Sequence, residues 1–316
     1  MGESVVRILL SSETDDRAAQ GSLEALVGVQ VLLYDPNSES LNDEQRSAEI
    51  LIPPYRGTHR GLPFIRQLPN LRMVQLPSSG VDEWINEVPA GVVLASARGA
   101  VAQPVSEWVL SAILAQLRQW PTLVRFQDAH SWAHRKFSPD TLFGKRALII
   151  GAGAIGSAVA RRLEPFDVAV TLVASRARPG VHAADEIPRL IAGHELVVIT
   201  APITEKTFGL VDKSFLAAMD DGALLVNAGR GQIVVTDALV AELQSGRLRA
   251  ALDVTDPEPL PSDHPLWDCN GVIISPHAAR TVPGTNVLVH KVEVEQISAF
   301  LRGETPSNAT QATGAA

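Results

Sequence analysis

Three side chains suited to acid–base and anion-binding chemistry stand just beyond apolar runs that read as buried strands. Arg230 sits in Asn227-Ala228-Gly229-Arg230-Gly231, directly after Ala223–Val226. Glu258 follows the run Ala250–Val254, and His277 follows Val272–Ser275 within Ser275-Pro276-His277. Reduction of a 2-oxo acid needs such a trio. Hydride arriving at the carbonyl carbon builds negative charge on the oxygen, and a donor must meet it. A protonated His277 would supply that proton as general acid. Glu258 would hydrogen-bond the other ring nitrogen and fix its orientation, and Arg230 would grip the substrate carboxylate and its neighbouring oxygen. Singly, each has a structural alternative: a helix cap, a surface acid, a satisfied buried histidine. Three coincident placements at strand ends argue for the catalytic reading. His264, His290 and the other histidines lack this setting, and no ligand spacing suggests zinc.

The element that must position them begins at Ala147–Ile150. This apolar run meets Gly151, Gly153 and Gly156 in G-x-G-x-x-G spacing, with Ala154 and Ile155 between, and passes into a helical pattern. Gly151 permits the turn, Gly153 lets the backbone approach a pyrophosphate, and Gly156 lets the helix lie close on the sheet. A second strand, Val168–Val173, completes a βαβ unit, so a dinucleotide is the expected cofactor. NAD-binding folds end that second strand with an acid for the ribose 2′-hydroxyl. Here it ends in Ser175, Arg176 and Arg178, with no carboxylate. Ser175 suits a 2′-phosphate and the arginines suit its charge, which favours NADP(H) over NAD(H). Thr200, Pro202 and Ala228 are further cofactor-binding candidates.

The chain of 316 residues is 46% hydrophobic and 20% charged, with net charge −8, enough for two domains and unlike a nucleic-acid surface. Its single cysteine, Cys269, fits a reducing, cytoplasmic location and leaves no intramolecular disulfide. No membrane-spanning run or secretory signal is expected, Gly2 lacks a myristoylation context, and the tail from Thr305 to Ala316 is expected to be disordered, with Asn308-Ala309-Thr310 an accidental sequon. Buried apolar runs at Val6–Leu10, Gln30–Tyr34, Ile50–Pro53, Arg72–Leu76 and Val92–Ser96 predict a parallel sheet of their own. The expected fold class is α/β with two doubly wound domains. A Rossmann-type cofactor domain (100–284) is inserted in a discontinuous flavodoxin-like substrate domain (1–99 and 285–316). A long helix, Pro104–Trp120, is expected either to cross between the domains and supply a subunit contact or to be a plain core helix, followed by another over Thr122–His134. In the first domain two strand ends are distinctive: Pro53-Pro54-Tyr55, and Ser78-Ser79-Gly80, whose closely spaced N–H groups suit a carboxylate. Trp132 and Trp267 are candidate pocket walls.

These motifs resemble the D-isomer-specific 2-hydroxyacid dehydrogenases over nearly the whole chain, most strongly from Leu142 to Ala279. The resemblance rests on Gly151–Gly156, Val226–Gly231, Leu252–Pro261 with His264–Trp267, and Ser275–His277. It implies Arg230, Glu258 and His277 as the catalytic group. It further implies that Ser79 and Gly80 bind the substrate carboxylate through backbone N–H groups, that Asp253 holds the nicotinamide carboxamide, and that a homodimer forms through the cofactor domain. Tyr55 is a substrate-contact candidate from its strand-end position alone, its Pro53-Pro54-Tyr55 loop matching no known substrate. The stretch from Arg161 to Arg176 is similar to NADPH-preferring glyoxylate and hydroxypyruvate reductases. Alternatives are a relative acting on formate, phosphite or a phosphonate-bearing acid, or a non-catalytic dinucleotide-sensing protein. Ala278-Ala279-Arg280 departs from the glycine-containing segment common after the histidine.

Overall fold

Five short runs rich in Ile, Leu and Val form the first sheet: β1 (Val6–Ser11), β2 (Val29–Tyr34), β3 (Ile50–Ile52), β4 (Met73–Leu76) and β5 (Val93–Ser96). All pair in parallel, in the order β5-β4-β3-β1-β2. Leu9, Leu51, Val74 and Leu94 enter the core on one face, while Ile8, Ile50, Met73 and Ala95 enter the core on the other. That two-faced burial is why these runs show no polar alternation. Strand order reverses between β1 and β3, so the crevice expected of such a sheet opens where those strands end. A 3-10 segment, Thr58–Gln67, which the apolar pattern does not predict, follows β3.

The second sheet has seven parallel strands: β6 (Arg146–Ile150), β7 (Ala169–Ala174), β8 (His182–Ala183), β9 (Leu196–Ile199), β10 (Leu224–Asn227), β11 (Arg249–Leu252) and β12 (Val272–Ile274). Their order is β8-β7-β6-β9-β10-β11-β12, the doubly wound order of a Rossmann sheet with one strand added. Helix α1 (Ala102–Leu117) packs on it through Val109, Ile113 and Leu117, in the same core as Val159 and Leu163 of α2 (Ala154–Leu163). α1 thus packs as a core helix of this unit, the second of the two readings its pattern allows. It also stops before Trp120, because Gln119 adopts a left-handed φ of 55°. Pro121 then lies in the first turn of a new helix, Trp120–Asp128, shorter than the Thr122–His134 pattern suggests.

The structure, a computed structural model, describes residues 5–134 and 136–311. Contacts divide it into one compact unit of the residues up to Val101 with those from Val282 onward, and another of Ala102–Thr281. The return to the first unit is made by α3 (Thr285–Leu301) and β13 (Ala309–Thr310), which pairs antiparallel with β5. The tail is therefore ordered as far as Gln311, contrary to the expectation of disorder from its small polar residues. Asn308 explains the difference. Its side chain donates to the carbonyls of Ser96 and Arg98, and its N–H to Gln296 Oε1. Gly2 and residues 312–316 lie outside the described residues. Among the described residues no helix is long and apolar enough to cross a membrane.

Candidate active site

The second sheet reverses its strand order between β6 and β9, and the two loops leaving those strands are in contact. Gly151 has φ +114°, and a Cβ there would lie 2.5 Å from the Ala201 nitrogen. A Cβ on Gly156 would lie 2.0 Å from the Gly151 carbonyl oxygen. Thr200 Oγ1 donates to that carbonyl at 2.8 Å, locking the turn. Gly153, in contrast, has open space where a side chain would be, and it forms the N-cap of α2 with no side chain satisfying the helix N–H groups. A cradle closed beneath and open above, at a helix N-terminus, fits a pyrophosphate. Ala154 and Ile155 begin that helix. Ser175 and Arg176 are exposed beyond β7. Arg178 reaches back to donate to the Ala152 carbonyl at 2.6 Å, tying the end of β7 to the glycine loop. Ala228 binds back to β9 through its N–H, and Pro202 accepts from Thr207 Oγ1.

On the other side of β9, strands β10, β11 and β12 end in register, with Asn227 opposite Leu252 and Leu252 opposite Ile274. Their loops carry Arg230, Glu258 and His277. Asn227 shapes the first loop: its Oδ1 accepts from the Gly229 N–H and its Nδ2 donates to the Arg230 carbonyl, both at 3.0 Å. Gly231 then presses on the second loop so closely that a Cβ would lie 1.9 Å from the Thr255 carbonyl oxygen. The Arg230 guanidinium is half-buried and one of its nitrogens donates to the Gly229 carbonyl.

Glu258 and His277 are brought together directly, with 2.6 Å between Oε1 and Nδ1. A carboxylate at Nδ1 keeps that nitrogen protonated and leaves Nε2 as the ring atom directed elsewhere. Both side chains are a little over two-fifths exposed (44% and 42%), accessible to an incoming reactant. His277 has φ 52°, a left-handed conformation costly for a residue with a Cβ. Asp253 holds it there. This buried acid takes Ser275 Oγ at 2.6 Å and the N–H groups of Ala278 and Ala279 at 2.8 and 3.0 Å on one oxygen, Oδ1. Its own carbonyl accepts the His277 N–H at 2.7 Å. Asp253 therefore organises the loop carrying the imidazole, a task that its motif alone does not reveal. Trp267 is tied to the Pro261 carbonyl through Nε1. Trp132 is 94% exposed, which removes it as a pocket wall of its own unit.

The remaining candidates belong to the first unit. Ser79 follows β4, and its Oγ is buried with no protein hydrogen-bond partner. Ser78 Oγ donates to the Gly80 carbonyl, closing the turn. Tyr55 follows β3, and its N–H donates to Asp16 Oδ1 at 2.8 Å. Burial pushes Asp16 up to about 6, with the charges of Glu293 and Glu13 adding to the effect and hydrogen bonds opposing it. A buried histidine–carboxylate pair, His290 Nδ1 to Glu293 Oε2 at 2.8 Å, lies on α3. Burial lowers His290, but the hydrogen bond and charge of Glu293 outweigh it and hold the imidazole above its usual range. The spacing His290-x-x-Glu293 is the only sequence signal of this pair.

Comparison with known proteins matches the same features. Residues 110–279 match the model of the D-isomer specific 2-hydroxyacid dehydrogenase NAD-binding domain. The chain is 32% identical to a glyoxylate reductase/hydroxypyruvate reductase of Mus musculus, over 74% of this chain and 75% of the relative. Among solved structures, it is similar to a D-isomer specific 2-hydroxyacid dehydrogenase family protein of Aeromonas salmonicida, with TM-score 0.83 and 26% identity over 97% of this chain and 99% of that one. It is also similar to a D-isomer specific 2-hydroxyacid dehydrogenase of Xanthobacter autotrophicus Py2 in complex with NADPH and MES, with TM-score 0.81 and 28% identity over 97% and 98%. A nucleotide cradle at one switch point and a matched domain that contains the Arg230, Glu258 and His277 loops agree: the chain belongs to the D-isomer specific 2-hydroxyacid dehydrogenase family, whose members are oxidoreductases.

Proposed function

We propose that this protein reduces a small 2-oxo acid of the glyoxylate or hydroxypyruvate kind to its D-2-hydroxy acid, with NADP(H) preferred over NAD(H). The observation that carries this reading is the 2.6 Å bond between Glu258 and His277 on the rim that also bears Arg230. A bound nicotinamide supplies the hydride. His277 holds a proton at Nε2 for the oxygen that gains charge, while Glu258 fixes the ring through Nδ1. Arg230 grips the substrate carboxylate as a planar fork. Gly151, Gly153, Ala154, Ile155 and Gly156 cradle the pyrophosphate, with Thr200, Pro202 and Ala228 lining the opposite side. Ser175 and Arg176 meet the 2′-phosphate, and Arg178 steadies that corner through its bond to Ala152. Asp253 already uses Oδ1 three times, so a carboxamide would be met by Oδ2. Ser79 and Gly80 offer N–H groups to the substrate carboxylate, and Tyr55 walls the substrate.

The reading includes a homodimer through the second unit, supported by the exposed apolar side chains Trp120, Val124, Trp132 and Phe143. A cytoplasmic location fits the single free cysteine, Cys269. The test is NADPH and NADH oxidation against glyoxylate, hydroxypyruvate, pyruvate, bulkier 2-oxo acids, and the reverse reaction with formate and phosphite. Fastest turnover of a small 2-oxo acid with NADPH is expected. Tight dinucleotide binding without turnover of any of these would contradict the reading and favour a sensing protein.

A further inference from the structure

The loops leaving β1 and β3 flank the point where the first sheet reverses its strand order, and the first loop grips the second at three places. Asp16 Oδ1 accepts the Tyr55 N–H at 2.8 Å. Asp15 pairs with Arg56 at 2.9 Å. Glu13 takes the Arg60 fork at 2.7 and 2.9 Å. Arg56 is largely solvent-exposed, so its pair contributes little. Asp16 is 2% exposed, so the bond to Tyr55 is made where electrostatics are strong.

Behind this loop lies α3. His290 donates Nε2–H to the Asp15 carbonyl at 2.9 Å and Nδ1–H to Glu293 at 2.8 Å. Both partners are acceptors, so the ring carries two protons and a positive charge. That charge sits among the buried acids. The groups bearing on Asp16 are Glu13 of its own segment, Tyr34 at the end of β2, Arg60, and Glu293 and His290 of α3. Asp16 Oδ2, Glu293 Oε1 and the Tyr34 hydroxyl are all buried without protein partners. Buried polar atoms without protein partners call for an explanation, and these lie beside a strand-end crevice.

We propose that Asp16 is a positioning residue for the substrate: its carboxylate, braced by the His290–Glu293 pair, fixes the Pro53-Pro54-Tyr55 loop, so that substrate affinity depends on the charge of that carboxylate. The proposal rests on the reading of Tyr55 as a substrate contact. Asp16 takes up a proton near pH 6. Protonation leaves an acceptor for the Tyr55 N–H but exchanges a charge-assisted bond for a neutral one about half as strong.

Two measurements on the full-length protein test it: amide hydrogen exchange across residues 53–57, and KM and kcat for glyoxylate with NADPH between pH 5 and pH 8. At pH 7.5, Asp16→Asn should speed exchange about fivefold and raise KM by a similar factor, with kcat within about twofold. The ratio of variant to wild-type KM should fall towards one at pH 5, where wild-type Asp16 is itself neutral. Taking this ratio cancels the titration of other groups. Unchanged exchange, or a KM ratio independent of pH, overturns the proposal. Faster exchange with unchanged KM instead overturns the reading of Tyr55 as a substrate contact. If Asp16→Asn does not fold, His290→Gln is read in the same way, with exchange and KM both expected to rise about threefold.

Discussion

Of the three histidine–carboxylate pairs among the described residues, one, His182–Glu186, lies at the edge strand β8, and the other two are of nearly equal length and opposite surroundings. His277–Glu258 spans 2.6 Å with both side chains more than two-fifths exposed, whereas His290–Glu293 spans 2.8 Å with side chains 9% and 1% exposed. In the buried pair the second ring nitrogen is already committed to a backbone carbonyl. It cannot hand its proton to a reactant, and its charge serves to hold loops in place. In the exposed pair the second nitrogen remains available to chemistry, and rigidity comes from outside, through Asp253 and the loop it binds. A hydrogen-bonded imidazole is thus open to acid–base chemistry or closed to it according to what its far nitrogen meets.

The surroundings of the two pairs differ in the same sense. Among the described residues, the buried polar atoms without protein partners include six in the first unit, on Asp16, Tyr34, Gln75, Ser79, Trp84 and Glu293, and one, on His194, in the second. The loops of the nucleotide side rest on close glycine contacts and on side chains, Thr200, Asn227 and Asp253, bonded into them. The proposed substrate side is built from polar side chains with capacity to spare.

That contrast can be broken or sharpened by substitution. The largest effect is expected from Arg230→Gln, which should lower kcat/KM for glyoxylate by about a thousandfold, read in steady-state kinetics, without changing NADPH affinity. Gly231→Ala should destabilise the second unit by more than about 3 kcal/mol in denaturant melts, because a Cβ 1.9 Å from the Thr255 carbonyl forces two loops apart. Gly153→Ala, where the space is open, should leave stability within about 0.5 kcal/mol yet weaken dinucleotide binding about tenfold. Equal effects on stability from the two glycines would remove the contrast between a packed and an open glycine position. Arg176→Ala should raise the KM for NADPH about tenfold while leaving that for NADH unchanged.

The smallest effect concerns pH and the stability of the first unit. Asp16 is raised from 3.8 to about 6, so the folded state holds an extra proton across that interval. The stability this contributes is present below about pH 4 and lost as pH rises through about 6. His290, raised above 6.5, contributes stability below that value and loses it as pH rises through its higher folded value. Thermal melts should therefore show a downward contribution to stability from pH 4 towards and beyond neutrality. Asp16→Asn should flatten the lower part of it by a few degrees.

Much of this was readable from residue order. The strands of both sheets are continuous apolar runs, and Arg230, Glu258 and His277 could be placed because parallel strands put their loops on one rim. What escaped notice depends on contacts distant in sequence. The break after α1 comes from the backbone of Gln119, a residue with no strong turn signature. The tail's order depends on Asn308 meeting the ends of β5, more than 200 positions earlier. Asp16, His290 and Glu293 meet only after the chain has returned to its first sheet. Each of them alone looks like an ordinary charged residue on a short helix or an amphipathic one.

The most direct test of the account is single-turnover oxidation of NADPH by glyoxylate in the wild type, His277→Gln and His290→Gln, with dinucleotide affinity measured alongside. The account predicts hydride transfer slowed by at least about a hundredfold in His277→Gln and by less than about threefold in His290→Gln, at unchanged NADPH affinity. Equal rates in wild type and His277→Gln would contradict it.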